Sequence, residues 1–279
     1  TPIRTEGYPT VGGAAGRTVG DEELANLTEV IRSGMLNRSG GKFVPAIEDK
    51  FARHLGMKHC VASTSGMAAN PAMGAFSDRL VAQGARVILA ETSELLGAEH
   101  ILAERAATPE VRERLLAVIA ECERLLKATG EDFMGKQPAP GNVVGGISTV
   151  EEKALGDVLK GGSSPIVDVL AYGQPPSKPG LSFMDTPGND PVSVTGLVAA
   201  GCQVVAFTTG RGNPMGNPIA PVIKITGNAT TYARMGVDMD LDASPIIAGE
   251  ATIAQVGQRL YDLCLTVASG RSTAAELTG

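Results

Sequence analysis

Two carboxylates and one imidazole follow a short apolar segment in the first half of the chain. Glu91 closes the segment ARVILAE, which has the composition of a buried strand, and Glu94 and His100 follow on the next predicted helix. Ligands of α/β proteins gather at the carboxyl ends of parallel strands, and carboxylates with an imidazole suit Fe²⁺ or Mn²⁺. The spacing therefore predicts a metal or active site at these residues. The alternative is a solvated helix face with a single histidine.

A second group of candidates lies after the strand-like segment CQVVAF, in the sequence TTGRG. The hydroxyls of Thr208 and Thr209, the backbone of Gly210 and the guanidinium of Arg211 suit a substrate carboxylate, because Arg binds carboxylates through two parallel hydrogen bonds. Lys224, in the otherwise apolar segment VIKI, adds a second cation. We expect these residues to bind substrate. The alternatives are a structural turn with a salt-bridged arginine, and a strand-edge lysine that reaches solvent.

Three further candidates flank a glycine-rich loop and a later strand. Asn142 lies in GNVVGG, where glycines let the backbone approach a ligand closely, and Lys153 lies on the helix that follows. Asp185 ends the strand-like segment GLSFMD. We expect Asn142 to bind substrate, and Lys153 and Asp185 to act in catalysis as groups that hold or move protons. The alternatives are a helix cap at the end of the loop and a turn-forming aspartate.

Strand-like and helical segments alternate through most of the chain and would position these side chains. Helices are predicted for residues 21–32 and 44–55, and a short strand for HCVAS at residues 59–63. Five apolar segments then alternate with helical ones, and the helical ones include SELLGAEHILAERA: ARVILAE, PIVDVLAYG, GLSFMDTPG, CQVVAF and APVIKITG. This alternation predicts an α/β fold with a doubly wound, mainly parallel, Rossmann-like sheet behind an N-terminal helical segment.

The composition excludes several classes of partner. The net charge of −6 and the lack of a basic block argue against nucleic acid. No apolar run approaches ~18 residues, which argues against a membrane span, and no secretory signal is recognisable at the N-terminus. The four cysteines are scattered without a CxxC pair, as expected of reduced thiols. We expect a cytoplasmic, homo-oligomeric protein that acts on a small molecule.

The first part of the chain carries one family resemblance. Within residues 18–69, the sequence GDEELANLTEVIRSGMLNRSGGKFVPAIEDKFARHLGMKHCVASTSGMAA resembles the start of a sugar aminotransferase that depends on pyridoxal phosphate. In that family the turn matching residues 64–67 cradles the cofactor phosphate at a helix N-terminus. No lysine of this chain sits in that family's Schiff-base motif, so the cofactor is not expected here. An aminotransferase stays an alternative function.

The rest of the chain carries a different resemblance. The blocks SGMAANPAMGAFSDRLVAQGARVILAETSELLGAEHILAERA, PGNVVGGISTVEEKALGDVLKGGSSPIVDVL, GLSFMDTPGNDPVSVTG, VVAFTTGRGNPMGNPIAPVIKI and GEATIAQVG resemble the catalytic region of altronate and galactarate dehydratases. They occur in the family's order through to residue 270. The chain is therefore interpreted as an apparent chimera, with an aminotransferase-like segment at 1–64 and a dehydratase-like α/β domain at 65–279.

The second resemblance implies a hydro-lyase. Such an enzyme removes a proton next to the carboxylate of a sugar acid and expels the β-hydroxyl, which leaves a 2-keto-3-deoxy acid. The resemblance also implies a divalent ion, Fe²⁺ or Mn²⁺, as the Lewis acid that stabilises the enediolate. Two alternatives stay open. One is a sulfolactate sulfo-lyase, which also eliminates a β-leaving group, and the other is a non-catalytic fragment that binds sugar acids.

Overall fold

A computed structural model describes residues 21–33, 68–130 and 149–278. The chain divides into two compact units, Thr1–Ala62 and Ser63–Gly279. In the first unit the described element is helix α1, Asp21–Ser33, which confirms the predicted helix at 21–32. The predicted helix at 44–55, the predicted strand at 59–63 and the loop with Asn142 lie outside the described residues. The predicted domain boundary at residues 64 and 65 stays a prediction.

The first half of the second unit builds a three-stranded parallel sheet in the order β1-β3-β2. A 3₁₀ turn, Thr92–Leu95, follows its first strand, and another, Leu159–Gly161, follows helix α5. In chain order the elements are α2 (Ala69–Ala82), β1 (Arg86–Leu89), α3 (Glu99–Ala103), α4 (Pro109–Ala128), α5 (Val150–Val158), β2 (Ile166–Leu170) and β3 (Gly180–Met184).

The second half of the unit builds a second parallel sheet in the order β4-β5-β6. Its elements, with the helix that precedes it, are α6 (Asp190–Ala199), β4 (Val205–Thr208), β5 (Val222–Thr226), α7 (Ala229–Met235), β6 (Leu241–Asp242), α8 (Ile253–Ala268) and α9 (Ala274–Thr278). The predicted α/β class with parallel strands is confirmed. The described strands form two sheets, and a single doubly wound sheet stays a prediction.

Helix α4 illustrates how local sequence fixes an element of the first sheet. The Thr108 side chain accepts a hydrogen bond from the backbone N–H of Val111, and Pro109 occupies the first helical position, both of which favour a helix start. Val111, Leu115 and Ile119 recur at a spacing of four, so they share one face. That face packs against the core that contains Phe183 of β3. This core also contains Leu89 of β1, so it fixes the positions of the carboxyl ends of β1 and β3.

Strand β5 alternates between two apolar environments. Ile223 and Ile225 pack in one core cluster with residues of α2 and α8, whereas Val222 packs in another with residues of α6 and β4. Because side chains alternate along a strand, Lys224 lies on the Val222 face. None of the described helices is long and apolar enough to cross a membrane.

Candidate active site

The chain leaves β1 through a strained residue. Glu91 has φ 77°, and it is the one non-glycine residue with positive φ among those that the structure describes. A left-handed non-glycine residue costs about 1–3 kcal/mol and persists where its surroundings hold it. Here the backbone N–H of Glu91 donates to the Thr186 hydroxyl at 2.8 Å. The strain therefore marks a position that the loop after β3 keeps in place.

The turn after β1 and the loop after β3 are joined by hydrogen bonds. The Thr92 hydroxyl donates to the Asp185 carboxylate at 2.6 Å and accepts from the Thr186 N–H at 3.2 Å. The Thr92 N–H donates to the Thr186 carbonyl at 2.9 Å. A side chain at Gly188 would clash with Ser93 and Glu94, so glycine permits this close approach. The carboxyl ends of two adjacent strands thus form one rigid rim, with Asp185 exposed on it.

Two lysines from α5 and the turn that follows it reach the carboxylates of this rim. Lys153 forms an ion pair with Glu94. Lys160 lies 2.6 Å from an Asp157 oxygen and 3.5 Å from a Glu91 oxygen. We call these five largely buried side chains the charged cluster: three carboxylates and two ammonium groups give a formal charge of −1 when all are ionised.

Helix α2 packs closely on the turn that carries Lys160 and so holds the charged cluster in place. A side chain at Gly74 would clash with the Leu159 carbonyl oxygen, and the Ser77 hydroxyl donates to the Lys160 carbonyl at 2.9 Å. Asp78, one turn of helix beyond Gly74, accepts hydrogen bonds from the N–H and hydroxyl of Ser163 and of Ser164. These contacts therefore fix the backbone of the turn from which the Lys160 side chain extends.

Electrostatics divide the charged cluster into a fixed cation and a carboxyl that can be protonated. Burial raises the pKa of Glu91, and repulsion by Asp157 adds to the rise. Burial likewise raises the pKa of Glu94, again with Asp157 contributing. Burial opposes the charged form of Lys160, yet Asp157 and Glu91 outweigh it and raise the pKa of this lysine above its ordinary value. The Lys160 ammonium faces the carboxylates of Asp157 and Glu91 and lies closer to Asp157. Lys160 therefore stabilises the ionised form of Asp157 more than that of Glu91, and Glu91 can accept a proton.

The predicted substrate clamp after β4 is an ordered turn. The Thr209 hydroxyl accepts from the Gly212 N–H at 3.0 Å, and the Gly210 carbonyl accepts from the Thr231 hydroxyl at 2.8 Å. Arg211 is exposed, and no ion pair is found for it within residues 68–130 and 149–278. The buried Thr208 hydroxyl has no hydrogen-bond partner among the described residues. The Arg211 guanidinium and the Thr208 hydroxyl are therefore available for a ligand.

Lys224 lies in the central strand of the second sheet, and its side chain is fully buried. The interpretation as a strand-edge lysine that reaches solvent is therefore wrong. Its Nζ has no hydrogen-bond partner in the part of the chain that the structure describes. Burial lowers the pKa of Lys224, and the carboxylates of Asp238 and Asp240 oppose that shift. An unpaired buried amine is costly in free energy, which makes this residue a functional candidate.

Sequence reasoning missed three polar residues. Asn70 is fully buried in the first turn of α2, and neither polar atom of its side chain has a partner among the described residues. Asp157 and Lys160 belong to the charged cluster. The spacing of Lys153, Asp157 and Lys160 by four and three positions places them on one helical face, and that pattern was the signal available for them. An asparagine at the start of an apolar helix was the signal for Asn70.

The structure brings together only part of the predicted site. Glu91, Glu94, Lys153 and Asp185 meet at the carboxyl ends of β1 and β3, whereas His100 is exposed on α3. The helix predicted to carry Glu94 is a 3₁₀ turn there, followed by the short α3, because Gly97 with φ 92° interrupts it.

The described residues do not fit a divalent ion. Among them, no three His, Cys, Asp or Glu side chains form a set that could hold a metal. Glu91 and Glu94 are each paired with a lysine, Lys160 and Lys153 respectively. The ligand role of Glu91, Glu94 and His100 stays a prediction.

A cavity of about 760 Å³ connects the two halves of this unit. Glu91 lines it at the end of β1, Lys160 lines it from the turn after α5, Thr208 lines it from the second sheet, and most of the remaining wall is apolar. A mainly apolar cavity with a few polar groups, among them a carboxyl of raised pKa, is typical of a small-molecule site. The fold and the site together define an α/β protein with an enzyme-like polar centre at the carboxyl ends of parallel strands.

Comparison with known proteins identifies the family. The chain belongs to the D-galactarate/altronate dehydratase family, because the model of that family's C-terminal region matches residues 56–279. The predicted family is thus confirmed. The resemblance of residues 18–69 to a sugar aminotransferase stays a prediction.

Three curated relatives show how much of such a protein the chain represents. It is 40% identical over 219 residues to (2R)-sulfolactate sulfo-lyase subunit beta of Chromohalobacter salexigens, which covers 78% of the chain and 56% of the relative. It is 36% identical over 257 residues to altronate dehydratase of Escherichia coli, covering 92% and 50%. It is 44% identical over 207 residues to galactarate dehydratase (L-threo-forming) of Escherichia coli, covering 74% and 39%. The chain spans about half the length of these relatives.

Proposed function

We propose that the protein is a sugar-acid lyase that removes water from a hexonate or hexarate and releases a 2-keto-3-deoxy acid. The observation that carries the proposal is the charged cluster, in which a carboxyl of raised pKa stands beside a protonated lysine at the carboxyl ends of β1 and β3. The names of two relatives, altronate dehydratase and galactarate dehydratase, support the substrate class.

The reaction needs a base, an acid and charge stabilisation. The proton next to a carboxylate is weakly acidic, so negative charge that develops on the enediolate must be stabilised as it forms. We assign that task to the ammonium of Lys160, which two carboxylates hold in its charged form. Glu91 then takes the α-proton, because its raised pKa makes the carboxylate a stronger base.

Loss of the β-hydroxyl completes the elimination. Lys153, whose ammonium is paired with Glu94, protonates the leaving oxygen as the carbon–oxygen bond breaks. The pair of electrons from the broken C–H bond forms the carbon–carbon double bond, and water departs. The enol then loses its hydroxyl proton and gains one at carbon, which gives the ketone, and the proton taken up by Glu91 restores the ammonium of Lys153. Asp185 stays a candidate for either proton transfer at the exposed rim.

Groups outside the charged cluster supply substrate contacts in this proposal. The unpartnered hydroxyl of Thr208, which lines the cavity, suits a substrate hydroxyl or carboxylate oxygen. Thr209, Gly210 and Arg211 would hold the far carboxylate or hydroxyls. Fe²⁺ or Mn²⁺ is implied by the family resemblance alone, so no step above passes through it.

The sulfo-lyase relative favours a second candidate. Elimination from sulfolactate also begins with a proton next to a carboxylate, but the leaving group is sulfite instead of hydroxide. The same base and ammonium would serve, and the product would be pyruvate. The 40% identity to the sulfo-lyase subunit is the observation that supports this candidate.

Turnover with a panel of substrates tests both candidates. The purified chain is incubated anaerobically with hexonates, hexarates or sulfolactate, with and without Fe²⁺ or Mn²⁺, and 2-keto acid and sulfite are measured. A 2-keto-3-deoxy product supports the dehydratase, and pyruvate with sulfite supports the sulfo-lyase. Absence of product in every arm contradicts both, and ligand-induced stabilisation without product would indicate a binding protein.

The Glu91→Gln variant tests the assigned base. We expect kcat to fall by about 10²-fold or more, because general-base catalysis contributes about 10²–10⁴-fold. The matched control is Glu104→Gln, which changes an exposed carboxylate on the same stretch of chain and should leave kcat unchanged. Equal kcat values for the two variants would contradict the assignment.

A further inference from the structure

Each sheet of the second unit ends in a strand that no described strand pairs with on its outer side, and these two strands line the same cavity. β1 is the last described strand on one side of the first sheet, and β4 is the last described strand on one side of the second. The cavity of about 760 Å³ lies between them, and two of its walls are residues 86–91, which are β1 and the two residues after it, and residues 204–208, which are β4 and the residue before it. The other walls are apolar side chains of α2 and α6, among them Met73, Phe76, Val194 and Leu197.

The hydrogen bonds between β4 and β5 show which amides of β4 face this cavity. The N–H of Val205 donates to the Pro221 carbonyl just before β5 at 3.0 Å, and the N–H of Thr209 donates to the Ile225 carbonyl within β5 at 2.9 Å. Residues alternate between the two sides of a parallel strand, so the N–H and C=O groups of Ala206 and Thr208 point away from β5. They point toward the cavity that these residues line.

The same reasoning applies to β1. Gly180 of β3 donates to the Ala85 carbonyl at 3.0 Å, and β1 pairs in parallel register with β3 from Arg86 onward. Ala85, Val87 and Leu89 therefore use their backbone groups on β3. Ile88 and Ala90 direct theirs toward the cavity, where no described strand receives them.

We propose that the gap between β1 and β4 is a binding site for one extended polypeptide strand, parallel to both. Unpaired strand edges that line a mainly apolar cavity are unfavourable, because each backbone N–H and C=O group withdrawn from water without a partner costs free energy. A strand in the gap would satisfy both edges at once, which a small apolar molecule cannot do. It would join the two sheets into one seven-stranded parallel sheet. Apolar helix faces on both sides require a strand with apolar residues on both of its faces.

The occupant to which we commit comes from the part of the family's sequence that lies outside the match. The sulfo-lyase subunit and the altronate dehydratase of Escherichia coli have 56% and 50% of their length matched to this chain, so each has a comparable length outside it. The inference rests on the strand pairing and does not require the proposed reaction. It adds to that reaction because the gap ends at Glu91 and Thr208, where the strand would close one side of the site.

Hydrogen exchange in the full chain is the first test. Synthetic peptides of about ten residues that overlap along the unmatched part of Escherichia coli altronate dehydratase are the probes. In the free chain the amides of Ile88 and Ala206 should exchange quickly, whereas their ladder-bonded neighbours Val87 and Phe207 should be protected. One peptide should protect both Ile88 and Ala206. If no peptide protects both, or if both are protected before any peptide is added, the proposal is wrong.

Backbone substitutions give a second, independent test. N-methylation at any central residue of the active peptide should weaken binding by about tenfold, which corresponds to one lost hydrogen bond. In a strand paired on both sides every central amide is engaged, whereas pairing on one side would spare alternate positions. An alternating pattern would overturn the proposal.

The protein side offers a matched pair of variants. Ala206→Pro removes the N–H that faces the gap and leaves the ladder to β5 intact, as proline is tolerated on a free edge. Ala206→Ser keeps that N–H. We expect the proline variant to bind the peptide about tenfold more weakly and the serine variant to bind normally. Protection of the Phe207 amide shows that the proline variant is folded, and equal affinities would contradict the proposal.

Discussion

The two parallel sheets carry buried lysines in opposite circumstances. Beside the first sheet, Lys160 lies between two carboxylates and its charge is compensated. In the second sheet, Lys224 is fully buried and its amine has no hydrogen-bond partner among the described residues. Burial of a charge without a partner is costly, whereas a paired charge contributes once its partners are in place. The comparison indicates that the first lysine is part of a preorganised centre and that the second is held at a cost to stability.

Replacement of each lysine by methionine should give the largest contrast. Lys160→Met leaves Asp157 and Glu91 buried against each other, so we expect the free energy of unfolding to fall by about 3 kcal/mol. Lys224→Met removes an unpaired polar group of similar length, so we expect no loss or a gain of up to about 1 kcal/mol. Urea denaturation at neutral pH measures both. Lys127→Met, which breaks an exposed pair with Glu123, is the control for loss of a surface charge.

The contrast fails if both core variants lose the same stability. In that case the carboxylates of Asp238 and Asp240 would compensate the Lys224 charge as fully as Asp157 and Glu91 compensate that of Lys160, and the comparison between the sheets would be lost. A small loss for Lys160→Met alone would indicate that the Glu91 carboxyl is already protonated and needs no cation.

The pH dependence of stability should show the next largest effect, with opposite signs for the two lysines. Burial lowers the pKa of Lys224, so the unfolded chain holds that proton more tightly than the folded chain. Stability should rise with pH between the folded pKa and the unfolded value of about 10.4. The raised pKa of Lys160 acts the other way: its contribution is complete below the unfolded value and is lost as pH rises through the folded pKa.

Unfolding free energies of the wild type and the Lys224→Met variant, measured from neutral to alkaline pH, test this sign. The wild type should gain stability relative to the variant as pH rises. A difference that stays constant would show that the pKa of Lys224 is the same in the folded and unfolded chains. Lys127→Met should track the wild type over the same range.

Local sequence predicted the strands of both sheets but only part of the site. The strands β1 to β5 are short, mainly apolar segments between helical ones, a pattern that needs no tertiary information. The two-residue β6 is too short to leave such a pattern. The pairing of Lys160 with Glu91, across 69 residues of sequence, depends on how α2 and α5 pack, and no spacing rule reports it.

The wrong interpretation of Lys224 has a similar cause. A lysine among apolar residues looks the same in an edge strand and in a central strand, because strand order is set by tertiary pairing. Asp185 and Glu91 were both expected at strand ends, and the order β1-β3-β2 places those ends side by side. His100 was expected with them, but Gly97 turns the chain and leaves it exposed.

Backbone strain at Glu91 offers a smaller effect that is confined to the first sheet. Glu91→Gly and Glu91→Ala both remove the carboxylate, but only glycine adopts φ 77° without steric cost. We therefore expect the glycine variant to be more stable than the alanine variant by about 1 kcal/mol. Thermal or urea denaturation measures the difference. Equal stabilities would show that the alanine variant relaxes to an ordinary conformation, and that the hydrogen bond to Thr186 does not hold the strained one.

The smallest effect on stability is expected at the turn after β4, where the second sheet would contact substrate. Arg211 is exposed and no ion pair is found for it in the described part of the chain, so Arg211→Ala should change the free energy of unfolding by less than about 0.5 kcal/mol. The guanidinium is instead expected to bind a substrate carboxylate, so the same variant should raise KM several-fold and leave kcat nearly unchanged. Arg271→Ala, on an equally exposed arginine after α8, is the control and should alter neither constant. An unchanged KM would remove Arg211 from the site, and the carboxylate would then have to be bound entirely from the first sheet.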